Sequence, residues 1–210
     1  MSIETPFVIF LVFFSVVCHE IAHGYVALRL GDPTAYKMGR LTFNPISHVD
    51  PIGTVMLPAL FLLSGSRIML AWAKPVPVNP MYFRNPRKGM MWVALAGPAA
   101  NLAIALVLTG LLHLTAEFLP RVLVRSLAMT ALMNVVLMVF NLIPIPPLDG
   151  SRVVARFLSR EALISYYRME RYGLIIVFGL LWLGVIGNIL APALNFAVYH
   201  LNLLPYLYKF

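Results

Sequence analysis

His19, Glu20 and His23 form the pattern His-Glu-x-x-His inside a run of apolar residues. On an α-helix the two histidines stand one turn apart on one face, so both imidazoles can reach a single zinc ion. Glu20, rotated about 100° from His19, can take the proton of a water activated there. Residues 7–30 are otherwise interrupted only by Ser15, Cys18, Gly24, Tyr25 and Arg29. Ionisable groups packed this closely on a membrane helix are costly unless they act. The pattern implies metal-assisted hydrolysis within a membrane, with one zinc ion per chain.

Composition sets the surroundings in which that chemistry must be held. Sixty percent of the 210 residues are hydrophobic and 11% are charged, and the mean hydropathy is +0.85. Such values point away from a soluble domain and to an all-α polytopic membrane protein. The first apolar run lacks a basic leading segment and an A-x-A-like cleavage site, so it is expected to stay in the mature protein. The lone cysteine, Cys18, precludes an internal disulfide and is turned away from the shared face of the histidines, which suits packing. The net charge of +8 is spread through loops beside apolar spans. That distribution excludes a nucleic-acid footprint and reports topology and contact with anionic lipid.

Apolar stretches at about 6–28, 52–73, 90–116, 123–146 and 172–198 give about four to five transmembrane helices in one domain, residues 1–210. Its catalytic core is expected at about 7–155, with C-terminal helices at about 156–210. Basic residues concentrate at 29–50 (Arg29, Lys37, Arg40), 74–88 (Lys74, Arg84, Arg87, Lys88) and 152–171 (Arg152, Arg156, Arg160, Arg168, Arg171). The positive-inside rule puts all three segments in the cytoplasm and 117–125 outside. Both flanks of 52–73 then share a side. Pro58 and the break Ser64-Gly65-Ser66 fit a re-entrant or extended element that protein must shield from lipid. A helix leading outward at about 172–190 follows, and 191–208 is either a fifth span or an interfacial tail. Arg152, Arg156 and Arg160 recur every four residues opposite Val153, Val154, Phe157 and Leu158, the pattern of a helix at the membrane surface over 151–171.

A catalytic zinc ordinarily takes three protein ligands and keeps one position open. Asp149, Asp50, His48, His113 and His200 are the candidates for the third. On this topology His113 and His200 lie near the external ends, whereas the motif lies toward the cytoplasmic end. Asp149 follows Asn141-Leu142-Ile143-Pro144-Ile145-Pro146-Pro147-Leu148, where prolines must break an inward-running helix. A carboxylate there could bend toward His19 and His23, although it could also cap the helix that follows. Asp50 could cap the re-entrant element, and either Asp50 or His48 could ligate the metal or gate water.

Three blocks in order, His19-Glu20-x-x-His23, Ala96-Gly97-Pro98-Ala99-Ala100-Asn101, and Asn141-x-x-Pro144 with Leu148-Asp149-Gly150, resemble the site-2 protease family of intramembrane metalloproteases. The likeness spans about residues 7–155. The stretches Gly39-Arg40-Leu41-Thr42-Phe43-Asn44-Pro45, Ala73-Lys74-Pro75-Val76-Pro77-Val78-Asn79-Pro80 and Phe83-Arg84-Asn85-Pro86-Arg87 resemble its small bacterial and archaeal members, without PDZ or CBS domains. The resemblance implies that His19, His23 and Asp149 bind zinc and that Glu20 is general base and acid. It further implies that Asn141 contacts the substrate backbone or the developing oxyanion. The partners it implies are single-span membrane proteins cleaved in or near the bilayer, in regulated intramembrane proteolysis. A prokaryotic plasma membrane, with the site toward the cytoplasm, is the expected setting. A separate membrane partner could control access, and nothing in the sequence specifies an oligomeric state.

A helical substrate hides its carbonyls in i to i−4 bonds and must unwind before water attacks. Residues 74–78 could pair with the unwound strand as a sheet edge, with prolines limiting which edge donates. The competing class is a transporter or channel using a buried His/Glu/Asp site for metal or protons. Transporters usually show repeats and dispersed ionisable groups, whereas those of this chain cluster at one depth.

Overall fold

The computed structural model describes residues 4–65 and 71–208. Three helices are long and apolar enough to cross a membrane: α1, Thr5–Arg29; α4, Pro86–Thr115, extended by a 3-10 turn to Phe118; and α5, Arg121–Asn141. Two short helices, α2 (Thr34–Lys37) and α3 (Leu57–Leu63), lie between α1 and α4. After α5 come α6 (Asp149–Ala155), α7 (Arg160–Arg168), α8 (Gly173–Trp182), α9 (Val185–His200) and α10 (Leu204–Tyr208). Among the described residues there is no strand. Large side chains such as Phe7, Phe10, Leu114 and Trp182 are exposed, a surface suited to hydrocarbon and not to water. The chain is an integral membrane protein.

α1 and α4 run antiparallel. Near the Arg29 end Ala27 packs on Phe83 and Val93, while at the far end Leu11 meets the cluster of Leu112, Ala116, Val124 and Leu127. α5 returns from that cluster beside α1, where Asn134 Nδ2 donates to Ser15 Oγ at 2.9 Å. Hydrogen bonds between helices substitute in lipid for the missing hydrophobic drive.

Because α1 leaves and α4 begins at the same end, the intervening chain makes no net crossing. Residues 51–56 form a π-helical turn that runs into α3. The expected break at Ser64-Gly65-Ser66 is seen at Gly65, which takes φ +67°; Ser66 and the rest of 66–70 lie outside the described residues. Pro58 lies just past the junction of the π-helical turn and α3, and the helical run continues through it to Leu63. Residues 71–79 then run extended. Trp72 N–H donates to Gly53 O at 3.2 Å, Lys74 N–H to His48 O at 2.9 Å, and the Thr54 hydroxyl to Trp72 O at 2.8 Å. The start and the end of the stretch are thus stitched side by side, as in a re-entrant element. Asp32 ties the same strand to the end of α1 by accepting from Asn79 N–H at 2.7 Å and Thr34 N–H at 2.9 Å.

Two details differ from the sequence pattern. The amphipathic run 151–171 is two helices, because the chain turns at 156–159 and Ser159 Oγ caps α7 by accepting from Ala162 N–H. The C-terminal break falls at Gly184, with φ +75°, and not at about residue 190. α8 and α9 meet there at 70°. Pro192 is carried inside α9, which packs Ala197 against Ala105 and Val135 and so runs back along α5. With α8, this bent pair gives up to a fourth span. The C-terminal Phe210 lies outside the described residues.

Single cysteines at Met38 and Asn85 in a Cys18→Ala background are expected to label from one face of the membrane, and one at Glu117 from the other. Labelling of the first two from opposite faces would make 52–73 a true span.

Candidate metal centre

α1 carries His19 and His23 into the bundle, where both are buried. Their Nε2 atoms lie 2.9 Å apart, and with Glu20 they form a group whose ligand atoms all fall within 4.8 Å of one another. His23 Nδ1 sits 2.6 Å from Val93 O. A carbonyl can only accept, so Nδ1 carries the hydrogen and Nε2 is the ring nitrogen left for a metal.

The other histidine-facing donor arrives from 130 residues away. α5 ends at Asn141, and the proline-rich segment to Leu148 folds on itself through Ile145 N–H to Ile143 O (2.8 Å) and Leu148 N–H to Ile145 O (2.9 Å). α6 then starts at Asp149, whose Oδ2 lies 3.2 Å from His19 Nε2 and 3.3 Å from His23 Nε2. Asp149 is the first residue of α6 and not its cap; Leu148 holds the N-cap position and makes no side-chain bond. Gly150 permits this approach, because a side-chain carbon there would meet the Leu142 carbonyl and stand 2.7 Å from Ile143 O.

The remaining third-ligand candidates are engaged elsewhere. Asp50 caps the π-helical turn, accepting from Ile52 N–H (3.1 Å) and Gly53 N–H (2.7 Å). His48 Nε2 donates to Thr42 O at 2.9 Å. His113 reaches Tyr206 and Leu201 near the far end, and His200 stacks on Phe196.

Three donor atoms within 3.3 Å of one another need a proton or a metal cation among them, and they converge on one point. Two imidazole nitrogens and one carboxylate oxygen make a donor set that suits catalytic zinc. The residues fit the metal.

Three contributions were not legible in the sequence. Gly97 on α4 lies against the motif so closely that an added Cβ would be 2.5 Å from His19 Cε1, His19 Nε2 and His23 Nε2. Val93 supplies the carbonyl that fixes the His23 tautomer. Val76 N–H, from the extended strand, donates to Glu20 Oε2 at 2.9 Å. The small residues of Ala96-Gly97-Pro98-Ala99-Ala100 were the only sequence signal for the first, and main-chain groups leave no signal at all.

Glu20, His19, Asn141, Asn101, Trp72 and Ala73 are among the residues lining a cavity of about 420 Å³ inside the bundle. Asn141 is half-buried and gives one amide hydrogen to Leu137 O at 3.0 Å. The cavity therefore brings Glu20 and Asn141 to a common space beside the three convergent atoms.

The family model for peptidase family M50 matches residues 7–122 and 114–184. The chain is 37% identical over 198 residues to "Putative zinc metalloprotease YwhC" of Bacillus subtilis, covering 90% of this chain and 86% of that protein. It is 32% identical over 181 residues to "Putative zinc metalloprotease Rip2" of Mycolicibacterium smegmatis, covering 86% of this chain and 65% of that protein. It is 27% identical over 154 residues to "Zinc metalloprotease MJ0392" of Methanocaldococcus jannaschii, covering 72% of this chain and 34% of that protein. No solved structure matches significantly.

Gly97→Ala is expected to lower zinc occupancy and cleavage at least about tenfold through the clash with both imidazoles, although alanine favours a helix by about 1 kcal/mol. Gly110→Ala, where nothing lies within 4 Å, is the control. Equal zinc content in the two variants would refute the steric role.

Proposed function

The chain belongs to peptidase family M50, the site-2 protease family, and on that premise we propose that it hydrolyses a peptide bond in or near the transmembrane segment of single-span membrane proteins. It is a zinc metalloprotease; the intramembrane substrate and a part in regulated intramembrane proteolysis are the proposed refinements. The observation that carries them is the convergence of His19, His23 and Asp149 among apolar helices, with His19 and Glu20 lining the adjoining cavity.

His19, His23 and Asp149 hold the metal. A zinc ion held by them would supply Lewis acidity toward the scissile carbonyl and the attacking water. Glu20 takes the proton during attack and returns it to the leaving amine. Val76 N–H holds Glu20 Oε2, which orients the carboxylate and leaves its other oxygen for the proton. Asn141 spends one amide hydrogen on Leu137 O and keeps a second for the developing oxyanion.

The strand 71–79 supports capture of an unwound substrate. Its backbone at Trp72 and Lys74 is bonded to 48–54, and Arg40 donates to Lys74 O at 2.8 Å. Ala73 and Pro75 line the cavity. Pro75 and Pro77 have no N–H, so strand addition on that edge takes its donor from Ala73. The basic segments 29–50, 74–88 and 152–171 favour a cytoplasmic placement of this end of the bundle in a prokaryotic plasma membrane.

Glu20→Gln is expected to reduce cleavage of a single-span substrate by at least about 10²-fold while leaving about one zinc per chain. Purified wild type and variant, compared by elemental analysis and cleavage of a substrate panel, check this; wild-type rates in the variant would sink the assignment. Asp149→Ala is expected to lose zinc under mild chelation, whereas Asp50→Ala retains it. The reverse pattern would move the ligand to the 39–51 loop.

A further inference from the structure

We infer that Asn101, on α4, is the hydrogen-bond partner of His19 Nδ1 and holds that imidazole in the tautomer that leaves Nε2 for the metal. This positioning role rests on the reading of His19 as a ligand. It starts from an asymmetry between the two histidines. His23 discharges its Nδ1 hydrogen onto Val93 O at 2.6 Å. His19 Nδ1 is equally buried and has no partner. A ligating imidazole almost always donates its other nitrogen to an oxygen acceptor, which fixes the ring and raises its basicity.

Asn101 is the complementary group. Its side chain is 0% exposed, and both its Oδ1 and its Nδ2 lack partners. A buried amide with neither bond made is rare and costly. Asn101 and His19 line the same cavity. Gly97, one turn before Asn101 on α4, lies against His19 Cε1, the carbon bonded to Nδ1.

Helix direction brings the two side chains together. On any α-helix the Cα–Cβ bonds tilt toward the N-terminus. α1 and α4 are antiparallel, so His19 leans toward the far end of the bundle and Asn101 leans back toward the motif. An N–H without an acceptor and an amide oxygen without a donor thus incline toward one another across one helix contact. They can meet by a side-chain rotation or through a single water. Asn101 thereby extends along α4 the service that Val93 gives His23.

Zinc affinity measured by chelator competition on the purified full chain tests this, using wild type, His19→Ala, Asn101→Leu and Asn101→Asp. Asn101→Leu, of similar volume, is expected to weaken zinc about 10–100-fold. Asn101→Asp keeps the acceptor oxygen and is expected to restore affinity to near wild type. Should the leucine variant not fold, Asn101→Ala carries the same expectation. Unchanged affinity on removing the amide overturns the inference, as does equal loss in the leucine and aspartate variants, because the oxygen would then not be what matters. Full zinc retention by His19→Ala would instead bring down the ligand assignment itself, and this role with it.

Discussion

Two imidazoles and two carboxylates inside an apolar bundle tolerate no unassigned lone pair or proton, since water is not freely at hand to solvate them. Much of the architecture answers that constraint at one contact, where α1 and α4 cross at Gly97. The missing side chain lets the second helix lie directly on both Nε2 atoms. Val93, one turn earlier, then offers its carbonyl to His23, and Asn101, one turn later, lines the same cavity as His19. The site is built as much by a helix that contributes no ligand as by those that do.

Irregular backbone reaches the same depth from two sides, and in each case its polar groups are largely satisfied within the protein. The segment 142–148 folds into tight turns that deliver Asp149, and Gly150 tucks against the carbonyls of Leu142 and Ile143. The extended segment 71–79 is tied to 48–54 and Arg40 through Trp72 and Lys74 and to Asp32 through Asn79. Between these ties Val76 N–H donates to Glu20. One extended segment thus holds the Glu20 carboxylate and lines the cavity at Ala73 and Pro75.

The interior of the bundle contrasts with its exterior. The outer surface displays Phe, Leu and Trp side chains to hydrocarbon, while polar groups gather where α1, α4, α5 and α6 meet. Small residues on α4 bring the helices close enough to make that interior tight. The cavity they leave, about 420 Å³, is lined by His19 and Glu20 together with Asn101 and Asn141.

Local rules carried a large part of this from the sequence alone. Helical periodicity placed His19 and His23 on one face, hydropathy marked α1, α4 and α5, and the distribution of basic residues implied that 52–73 returns to its starting side. Those properties depend on neighbours in the chain. The proline-rich run before Asp149 also signalled a broken helix, but not that its carboxylate would bypass capping to stand 3.2 Å from His19. The break at Gly184, the split of 151–171 into two helices and the passage of α9 through Pro192 depended on packing against α5 and on local turn conformation, which periodicity does not encode. The grip of Val76 on Glu20, the Val93 carbonyl behind His23 and the fit of Gly97 belong to the tertiary structure alone. Each is a main-chain group or a missing side chain, and its effect comes from what the fold brings next to it.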